Sequence, residues 1–264
     1  MEKYIVLFST GLSSAMTLNK AINQFGIENV IALFTDPKWE DEDNYRFMED
    51  IRSRYPKCRF EYRADGRTPR EVFLDTRWLG NSRLGNCSVW LKVKQTHKFL
   101  EEMKSEGITP ILLFGIGAEE EHRADSLKKK YPNYKCLFPM VDEPMTNEEM
   151  TKVIEGEWGI KAPRMYRLNF SHANCGGRCV RGGHKHWAQL FRTWPDRYLE
   201  VEAIENEFRE KINPNVTILT KTVAGHKQPM TLREYRKELE WNLFTYLDYE
   251  DEDEEEEICA VCVF

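Results

Sequence analysis

The stretch YIVLFSTGLSS, residues 4–14, decides the fold of this chain. It begins with an apolar run typical of a buried strand, passes through a turn rich in hydroxyl groups and glycine, and leads into an apolar pattern with helical spacing. Backbone N–H groups at a helix N-terminus attract anions, so the loop can bind a phosphate group. An ordinary strand-to-helix connection with a serine N-cap is the alternative interpretation. The candidate phosphate-binding residues are Ser9, Thr10, Gly11, Ser13 and Ser14.

The composition is that of a globular protein with room for one large core or two smaller ones. The chain has 264 residues, of which 41% are hydrophobic. No apolar run is long enough for a membrane span, and the N-terminus lacks the apolar segment of a signal peptide. We therefore expect a cytoplasmic protein that has no membrane partner.

The negative charge is concentrated in one segment near the C-terminus. The formal net charge is −6, but nine of the 44 acidic residues lie in DYEDEDEEEE, residues 248–257, which leaves 35 acidic against 38 basic residues elsewhere. A mildly basic body with a separate acidic segment suits an anionic ligand. The segment itself is interpreted either as a solvated tail or as a nucleic-acid mimic that competes for a basic groove.

Strand and helix patterns alternate from residue 4 to about residue 160. Apolar strand candidates lie at 29–34, 108–117 and 135–141, residues 58–63 alternate like an exposed or edge strand, and helical patterns lie between the strands. Thr146 and Glu149 fit a capping box that begins a further helix. Strands joined by helices in this order form a parallel sheet, so the sequence predicts an α/β fold in which ligands bind at the carboxyl ends of the strands.

The character of the sequence changes after residue 162. We expect an α/β nucleotide-binding domain in residues 1–162, a Cys/His-rich loop and helical region in 163–247, and an acidic tail with terminal cysteines in 248–264. Residues 171–187 are too rich in glycine for regular structure, and the helices predicted at 198–211 and 231–246 are separated by a loop.

Five further segments follow the first in the chain and form an ordered set with it. They are TDPKWE (35–40), NCSVWLK (86–92), GIGAEEEHR (115–123), NCGGRC (174–179) and ICAVCVF (258–264). In this order the segments resemble those of the adenine-nucleotide alpha-hydrolase (PP-loop) superfamily, in its phosphoadenosine-phosphosulfate-reductase-like branch found in phages and defence islands. The family's loop reads Ser-Gly-Gly-x-Asp-Ser. Ser9, Gly11 and Ser14 match it, whereas Thr10 and Ser13 depart from it, and Ser13 removes a carboxylate that could help to hold Mg²⁺.

The resemblance implies a doubly wound, Rossmann-like parallel sheet and a nucleotide pocket that takes ATP with Mg²⁺. By the same resemblance the pocket includes Gly115 among the nucleotide-binding residues. The alternative interpretation of Glu120, Glu121 and Arg123 is the start of a surface helix, since acidic residues favour the first turn. The catalytic candidates that the resemblance implies are Asp36, Glu40, Lys92, Glu120 and Arg123.

The cysteines form a second group of candidate ligands. Seven cysteines, an odd number, argue against a disulfide framework. The short spacings within 175–179 and 259–262 allow a loop to hold Zn²⁺ or an iron–sulfur cluster, although burial of free thiols explains them equally well. Cys58 and Cys136 are predicted to be core residues. The candidate metal ligands are Cys87, Cys175, Cys179, Cys259 and Cys262.

Basic and aromatic residues of the 66–85 and 171–187 segments predict a surface for nucleic acid, with DNA as the favoured partner. An ordinary protein surface is the alternative. The candidates are Arg77, Arg83, Arg178, Arg181, Lys185, His186 and Trp187.

Three functions are compatible with these features. The leading hypothesis is an enzyme that binds a nucleotide phosphate and carries out an ATP-linked modification of a base or of the backbone of nucleic acid, such as sulfur insertion. The rival is an ATP-independent DNA glycosylase that excises a modified base in phage defence, with Asp36 or Glu120 activating water. The third is a non-catalytic nucleotide sensor. The Glu-Cys-Gly-x-His motif of true sulfonucleotide reductases does not occur in the sequence, so a role in sulfate assimilation is not expected.

Overall fold

The computed structural model describes residues 1–81, 85–117 and 122–241, with the backbone alone described for His122. The described residues divide into two compact units. The first unit consists of Met1–Gly66 and Ser88–Gly176, and the second consists of Arg67–Cys87 together with residues 177–241. The predicted acidic tail and the cysteines at 259 and 262 lie outside the described residues.

The first unit contains a five-stranded sheet in the order β3-β2-β1-β4-β5. All four strand pairs are parallel. The α/β fold with a Rossmann-like parallel sheet is therefore confirmed. The strands are β1 Glu2–Leu7, β2 Val30–Asp36, β3 Arg59–Ala64, β4 Thr109–Leu113 and β5 Lys135–Leu137.

Helices of the first unit connect these strands. The capping box predicted from Thr146 and Glu149 is present at the start of α8, where each side chain bonds the other residue's backbone N–H. Residues 89–93 and 152–157 form π-helical turns that continue α4 and α8. The helices are α1 Leu12–Phe25, α2 Glu42–Arg54, α4 Asn86–Ser88, α5 Lys94–Ser105, α6 His122–Lys130, α7 Pro139–Asp142, α8 Asn147–Thr151 and α9 Arg164–Arg167, of which α4 spans the boundary between the units.

Alternate residues of β1 and β2 enter two separate cores, one on each face of the sheet. Val6 and Phe8 pack with residues of α1 and α2 on one face. Ile5 and Leu7 pack with residues of α5 and α6 on the other. A central strand covered on both faces must be apolar at every position, which explains why the opening stretch is a continuous apolar run.

Among its described residues, the second unit contains four helices and a hairpin. This arrangement corrects two of our expectations. The predicted loop around Gly225 is an antiparallel hairpin of β6 and β7. Ala224 and Gly225 both have positive φ at its turn, and lysine, threonine and glutamine on the strands hide the strand pattern. The stretch 171–187, predicted to be irregular, ends in regular helix from His184. The elements are α3 Pro69–Thr76, α10 His184–Thr193, α11 Pro195–Lys211, β6 Leu219–Val223, β7 His226–Met230 and α12 Leu232–Trp241.

None of the helices in the described part of the chain is long and apolar enough to cross a membrane.

A buried carboxylate on α11 links this helix to the starts of β6 and α12 in the second unit. Glu205 is fully buried and accepts hydrogen bonds from the backbone N–H groups of Ile218 and Leu232, each at 2.7 Å. These two residues stand directly before β6 and at the start of α12. Burial raises the pKa of Glu205 to about 7, against the pull of the two N–H groups.

We predict that Glu205→Gln destabilises the protein by about 1–3 kcal/mol at pH 5, because the NH₂ group of the amide cannot accept the second buried N–H, whereas the hydroxyl oxygen of the neutral acid can. The folded protein retains the Glu205 proton up to about pH 7, whereas the unfolded chain releases it near pH 4.5, so the stabilisation from this residue falls as the pH rises between these values. Urea denaturation at pH 5 and pH 7 measures the free energy of unfolding of both proteins. We expect the difference between wild type and variant to be smaller at pH 7 than at pH 5.

The matched control is Glu210→Gln, which changes an exposed residue of the same helix and leaves stability unchanged at both pH values. An equal loss of stability for Glu205→Gln at pH 5 and pH 7 contradicts the assigned pKa.

Candidate functional site

The order of the strands places a crevice at the carboxyl ends of β1 and β4. The chain leaves β1 toward β2 on one side, and β4 pairs with β1 on the other side. At such a switch point the two following loops diverge, and ligands of open α/β sheets bind between them. Residues 8–11 follow β1, and residues 114–117 follow β4. The predicted phosphate loop therefore lies at the position where this fold binds ligands.

The N-terminus of α1 is open toward this crevice. Its N-cap is Gly11, which has no side chain to bond the first-turn N–H groups, and the first turn contains no acidic residue. The Ser14 hydroxyl donates to the carbonyl oxygen of Gly11 at 2.9 Å. Orphan N–H groups with the positive end of the helix dipole favour an anion here.

Thr10 holds the loop in an unusual backbone conformation. Its φ is 65°, in the left-handed region that β-branched residues rarely adopt. The side chain is fully buried, and its hydroxyl donates to the carbonyl oxygen of Ser9 at 2.5 Å. Thr10 therefore shapes the loop from within, and its hydroxyl proton is not directed at a ligand.

Two other hydroxyl groups of the loop remain available for a ligand. The hydroxyls of Ser9 and Ser13 make no hydrogen bond within the part of the chain that the structure describes. Ser9 is only 5% exposed. The N–H of Leu12, the first residue of α1, donates to the Tyr166 hydroxyl at 3.3 Å. A buried hydroxyl without a partner beside a helix N-terminus is suited to donate to an anion.

Gly115 allows β4 to end against the start of α1. A Cβ atom on Gly115 would lie 2.9 Å from both the N and the Cα atoms of Ser14. Only glycine permits this approach of two backbones. Gly115 therefore lies directly against the predicted phosphate loop, and its role in binding a nucleotide stays a prediction.

Asp36 ends β2 and is engaged by three donors. One oxygen accepts from the Tyr45 hydroxyl and from the N–H of Lys38, each at 2.7 Å, and the other accepts from the Tyr62 hydroxyl. Burial, and then the bond to Asp36, raises the pKa of both tyrosines, which therefore remain donors. The carboxylate fixes the chain after β2, and both of its oxygens are already used.

Glu40 and Lys92 form a buried ion pair. The Lys92 ammonium lies 3.2 Å from one carboxylate oxygen of Glu40, and both side chains are almost completely buried. The second oxygen accepts from the N–H of Cys175 at 2.6 Å. Burial raises the pKa of Glu40, while Lys92 and the Cys175 N–H act in the opposite direction. Cys175 has φ 54° and is followed by Gly176 with φ 57°, so Glu40 holds a left-handed turn in place.

Of the two remaining catalytic candidates, Arg123 and Glu120, the structure describes Arg123 alone. Arg123 is buried in the first turn of α6. Glu120 lies outside the described residues. Of the five catalytic candidates, Asp36, Glu40 and Lys92 thus have defined contacts, and all of those contacts are to protein groups.

The predicted metal centre remains a prediction. No group of three or more His, Cys, Asp or Glu residues is placed to hold a metal ion among the described residues. Cys175 and Cys179 are buried, and Cys87 is partly buried. The other two predicted ligands, Cys259 and Cys262, lie outside the described residues. Burial raises the pKa of Cys58 and Cys136 to about 11, which agrees with core thiols.

The predicted nucleic-acid residues all belong to the second unit, but they differ in exposure. Trp187 is 0% exposed and packs edge-to-face on Tyr198, with ring centroids 5.7 Å apart. His186 is buried, and its Nε2 lies 2.6 Å from the carbonyl oxygen of Gly177. These two rings therefore have no exposed face on which a base could stack, because the first turn of α10 directs them into the core.

The charged candidates are less buried. Arg178 pairs with Glu200 at 2.7 Å. Arg181 is partly buried, Arg77 and Lys185 are exposed, and Arg83 lies outside the description. Trp78, which follows Arg77 at the end of α3, is 48% exposed. Arg77 and Trp78 thus present a cation and an aromatic ring side by side on the surface.

Comparison with known proteins finds similarity in structure alone. No protein-family model matches the sequence, and no curated protein is significantly similar to it. The chain is similar in structure to the phosphoadenylyl-sulfate (PAPS) reductase from Candida auris, solved as a phosphate complex, with 14% identity, a TM-score of 0.44, and coverage of 64% of this chain and 78% of that one. It is also similar to the NH3-dependent NAD synthetase from Campylobacter jejuni, with 10% identity, a TM-score of 0.41, and coverage of 81% and 84%. Similarity at this level carries no information on activity.

We predict that Gly115→Ala destabilises the protein by about 1–3 kcal/mol, because the new methyl group must displace the backbone at the start of α1. Gly117→Ala is the matched control, since a Cβ atom there meets nothing within 4 Å and the residue lies in the same loop. Thermal denaturation of the two variants measures the difference. Equal melting temperatures would show that α1 and β4 do not make this close approach.

We also predict that Lys92→Met destabilises the protein by about 3–5 kcal/mol, because it leaves the Glu40 carboxylate buried without its counter-charge. The double variant Glu40→Gln with Lys92→Met recovers part of the loss. Lys98→Met, which changes an exposed lysine of α5, serves as the control. Denaturant unfolding of all three variants measures these free energies, and a double variant less stable than Lys92→Met would contradict the assignment.

Proposed function

We propose that this chain is an enzyme that binds a nucleotide through its phosphate at the N-terminus of α1 and uses it to modify nucleic acid. The observation that carries the proposal is the first turn of α1 at the crevice between β1 and β4, which has no side-chain cap from Gly11 and no acidic residue. Beside it stand the hydroxyls of Ser9 and Ser13, which have no hydrogen-bond partner among the described residues. Backbone N–H groups and hydroxyls are the donors that phosphate oxygens require.

The arrangement of donors favours a phosphate over a carboxylate ligand. A tetrahedral phosphate group accepts several hydrogen bonds from different directions, and here donors come from the helix terminus and from separate loop side chains. The nearest carboxylates of the site, Asp36 and Glu40, are held by protein donors, so they do not compete for the N–H groups of α1.

The described side chains do not fit a protein-held Mg²⁺. Ser13 stands where the resembling family has a carboxylate, and both oxygens of Asp36 are engaged by tyrosines and a backbone N–H. Magnesium that arrives with ATP is commonly held by the phosphates and by water. We therefore assign no residue of this chain to the metal.

The nucleic-acid part of the proposal is supported by the exposed pair Arg77 and Trp78 on the second unit. Surfaces that bind single strands combine cations that contact phosphates with rings on which bases stack. Lys185 adds a further exposed cation to the same unit. The chemistry we propose for this substrate is an ATP-linked modification of a base or of the backbone.

The ATP-independent alternative requires a carboxylate that can activate water against a glycosidic bond. The predicted candidates for this role are Asp36 and Glu120, and Glu120 lies outside the described residues. Asp36 accepts three hydrogen bonds, and the neighbouring Glu40 is buried against Lys92, so neither of these two is arranged as a general base. Among the carboxylates that the structure describes at this edge of the sheet, these contacts favour the nucleotide-dependent reaction.

We predict that the protein binds ATP and that Ser9→Ala weakens this binding about tenfold, since a hydrogen bond to a charged group contributes about 1.5–3 kcal/mol. Titration calorimetry measures the affinity. Ser53→Ala, which changes an exposed serine of α2, is the control and leaves the affinity unchanged.

Turnover is tested by incubation with single- and double-stranded DNA, RNA and phage genomes that contain modified bases, with and without ATP. The proposal predicts release of AMP that increases when the correct nucleic acid is present. If alkali-labile sites form in the nucleic acid without ATP, and the protein does not bind ATP, the protein is a glycosylase and the proposal is wrong. ATP binding without turnover on any substrate would make the protein a sensor.

A further inference from the structure

We propose that the hydroxyl of Tyr166 is a ligand of the bound phosphate, to which it donates its proton. This inference rests on the proposed function and adds a binding residue from a distant part of the chain. Tyr166 lies on α9, 154 residues after its partner Leu12 in sequence.

Tyr166 is positioned at the phosphate loop by packing on one side and by a hydrogen bond on the other. Its ring packs against the apolar core that contains Leu12, Ala15 and Met16 of α1. Its oxygen accepts from the N–H of Leu12 at 3.3 Å. The residue thus satisfies one of the orphan N–H groups of the helix and cannot move away from the loop without losing this contact.

The hydroxyl proton of Tyr166 has no acceptor within the described residues. A phenol is both a donor and an acceptor, and in this contact Tyr166 uses only its acceptor capacity. Burial raises the pKa of Tyr166 to about 12, so the hydroxyl retains its proton at neutral pH. A donor is therefore available beside the helix terminus.

The Tyr166 oxygen and the Ser9 hydroxyl both lie beside Gly11. A Cβ atom on Gly11 would lie 3.0 Å from the Tyr166 oxygen and 3.7 Å from the Ser9 oxygen. The two hydroxyls therefore flank the side of Gly11 on which a side chain would stand. Ser9 is buried and its hydroxyl is also without a partner in the described structure, so two unused donors converge beside the first turn of α1.

A phosphate oxygen is the acceptor that fits these groups. The site offers donors and a helix dipole, with no acidic residue in the first turn of α1. The same chemistry is found in the phosphates of a free nucleotide and in the phosphodiesters of a nucleic-acid strand. Both are included in the test.

The test compares Tyr166→Phe with wild type in titrations with ATP and with a short single-stranded DNA oligonucleotide. The variant removes one oxygen atom and keeps the ring. We expect binding of the phosphate source that occupies the site to weaken about tenfold or more. Loss confined to ATP identifies a free nucleotide, and loss confined to the oligonucleotide identifies a strand phosphate.

Tyr55→Phe is the matched control for loss of a phenol hydrogen bond in the same unit. The Tyr55 hydroxyl donates to Asn19 at 2.8 Å at the C-terminal end of α2, and this residue has no part in the proposed site. We expect both variants to lose similar small amounts of thermal stability, but only Tyr166→Phe to lose affinity.

If Tyr166→Phe binds ATP and the oligonucleotide as tightly as wild type does, the inference is wrong. Tyr166 then only caps α1, and the proposed function is unaffected. A wild-type protein that binds neither ATP nor the oligonucleotide would overturn the proposed function and this inference with it. The two failures are therefore distinguished by the wild-type titration alone.

Discussion

The parallel pairing of β1 with β2 on one side and β4 on the other is the constraint on which the first unit depends. Because β1 is central, both faces of its C-terminal half are buried, and Ile5, Val6 and Leu7 there are all apolar. Because β2 and β4 continue in opposite directions across the sheet, the loops that leave β1 and β4 diverge and open a crevice. Gly115 then lets β4 end against Ser14 at the start of α1. The apolar run, the crevice and the glycine are consequences of one topology.

The carboxylates at this edge of the sheet act on the protein itself. Asp36 fixes the chain after β2 through Tyr45 and Tyr62, and Glu40 holds Lys92 and the left-handed turn at Cys175. A buried carboxylate is costly unless its lone pairs are satisfied, and in both residues they are. The oxygens of both carboxylates are occupied by protein donors, whereas the hydroxyls of Ser9 and Ser13 have no hydrogen-bond partner among the described residues. The charged groups therefore hold the backbone around the site in place, and the neutral hydroxyl and N–H groups are the donors proposed to bind the ligand.

The α/β class, the strand, turn and helix of residues 4–14 and the capping box at Thr146 could be predicted because each depends on neighbouring residues. Apolar runs, a glycine before a helical pattern and a Thr–Glu pair three residues apart are all local signals. The contact between Tyr166 and Leu12 could not be predicted, because it joins segments 154 residues apart and Tyr166 lies in no recognisable motif. Trp187 was predicted to lie on a nucleic-acid-binding surface because basic residues surround it in the sequence. Only the direction of α10 shows that its ring is buried. The hairpin around Gly225 was missed because its strands are polar on both faces and Ala224 occupies a turn position where asparagine is usual.

Thr10 has a further consequence for the loop. A glycine-rich phosphate loop is free to adopt many conformations and loses that freedom when its ligand arrives. Thr10 is already held at φ 65° by its buried side chain and by its bond to the carbonyl oxygen of Ser9. A strained conformation of this kind costs about 1–3 kcal/mol, and the cost is met when the protein folds. The loop conformation is therefore fixed in the folded protein before any ligand is present. Under the proposed function, binding of a phosphate then costs little further conformational entropy of the loop.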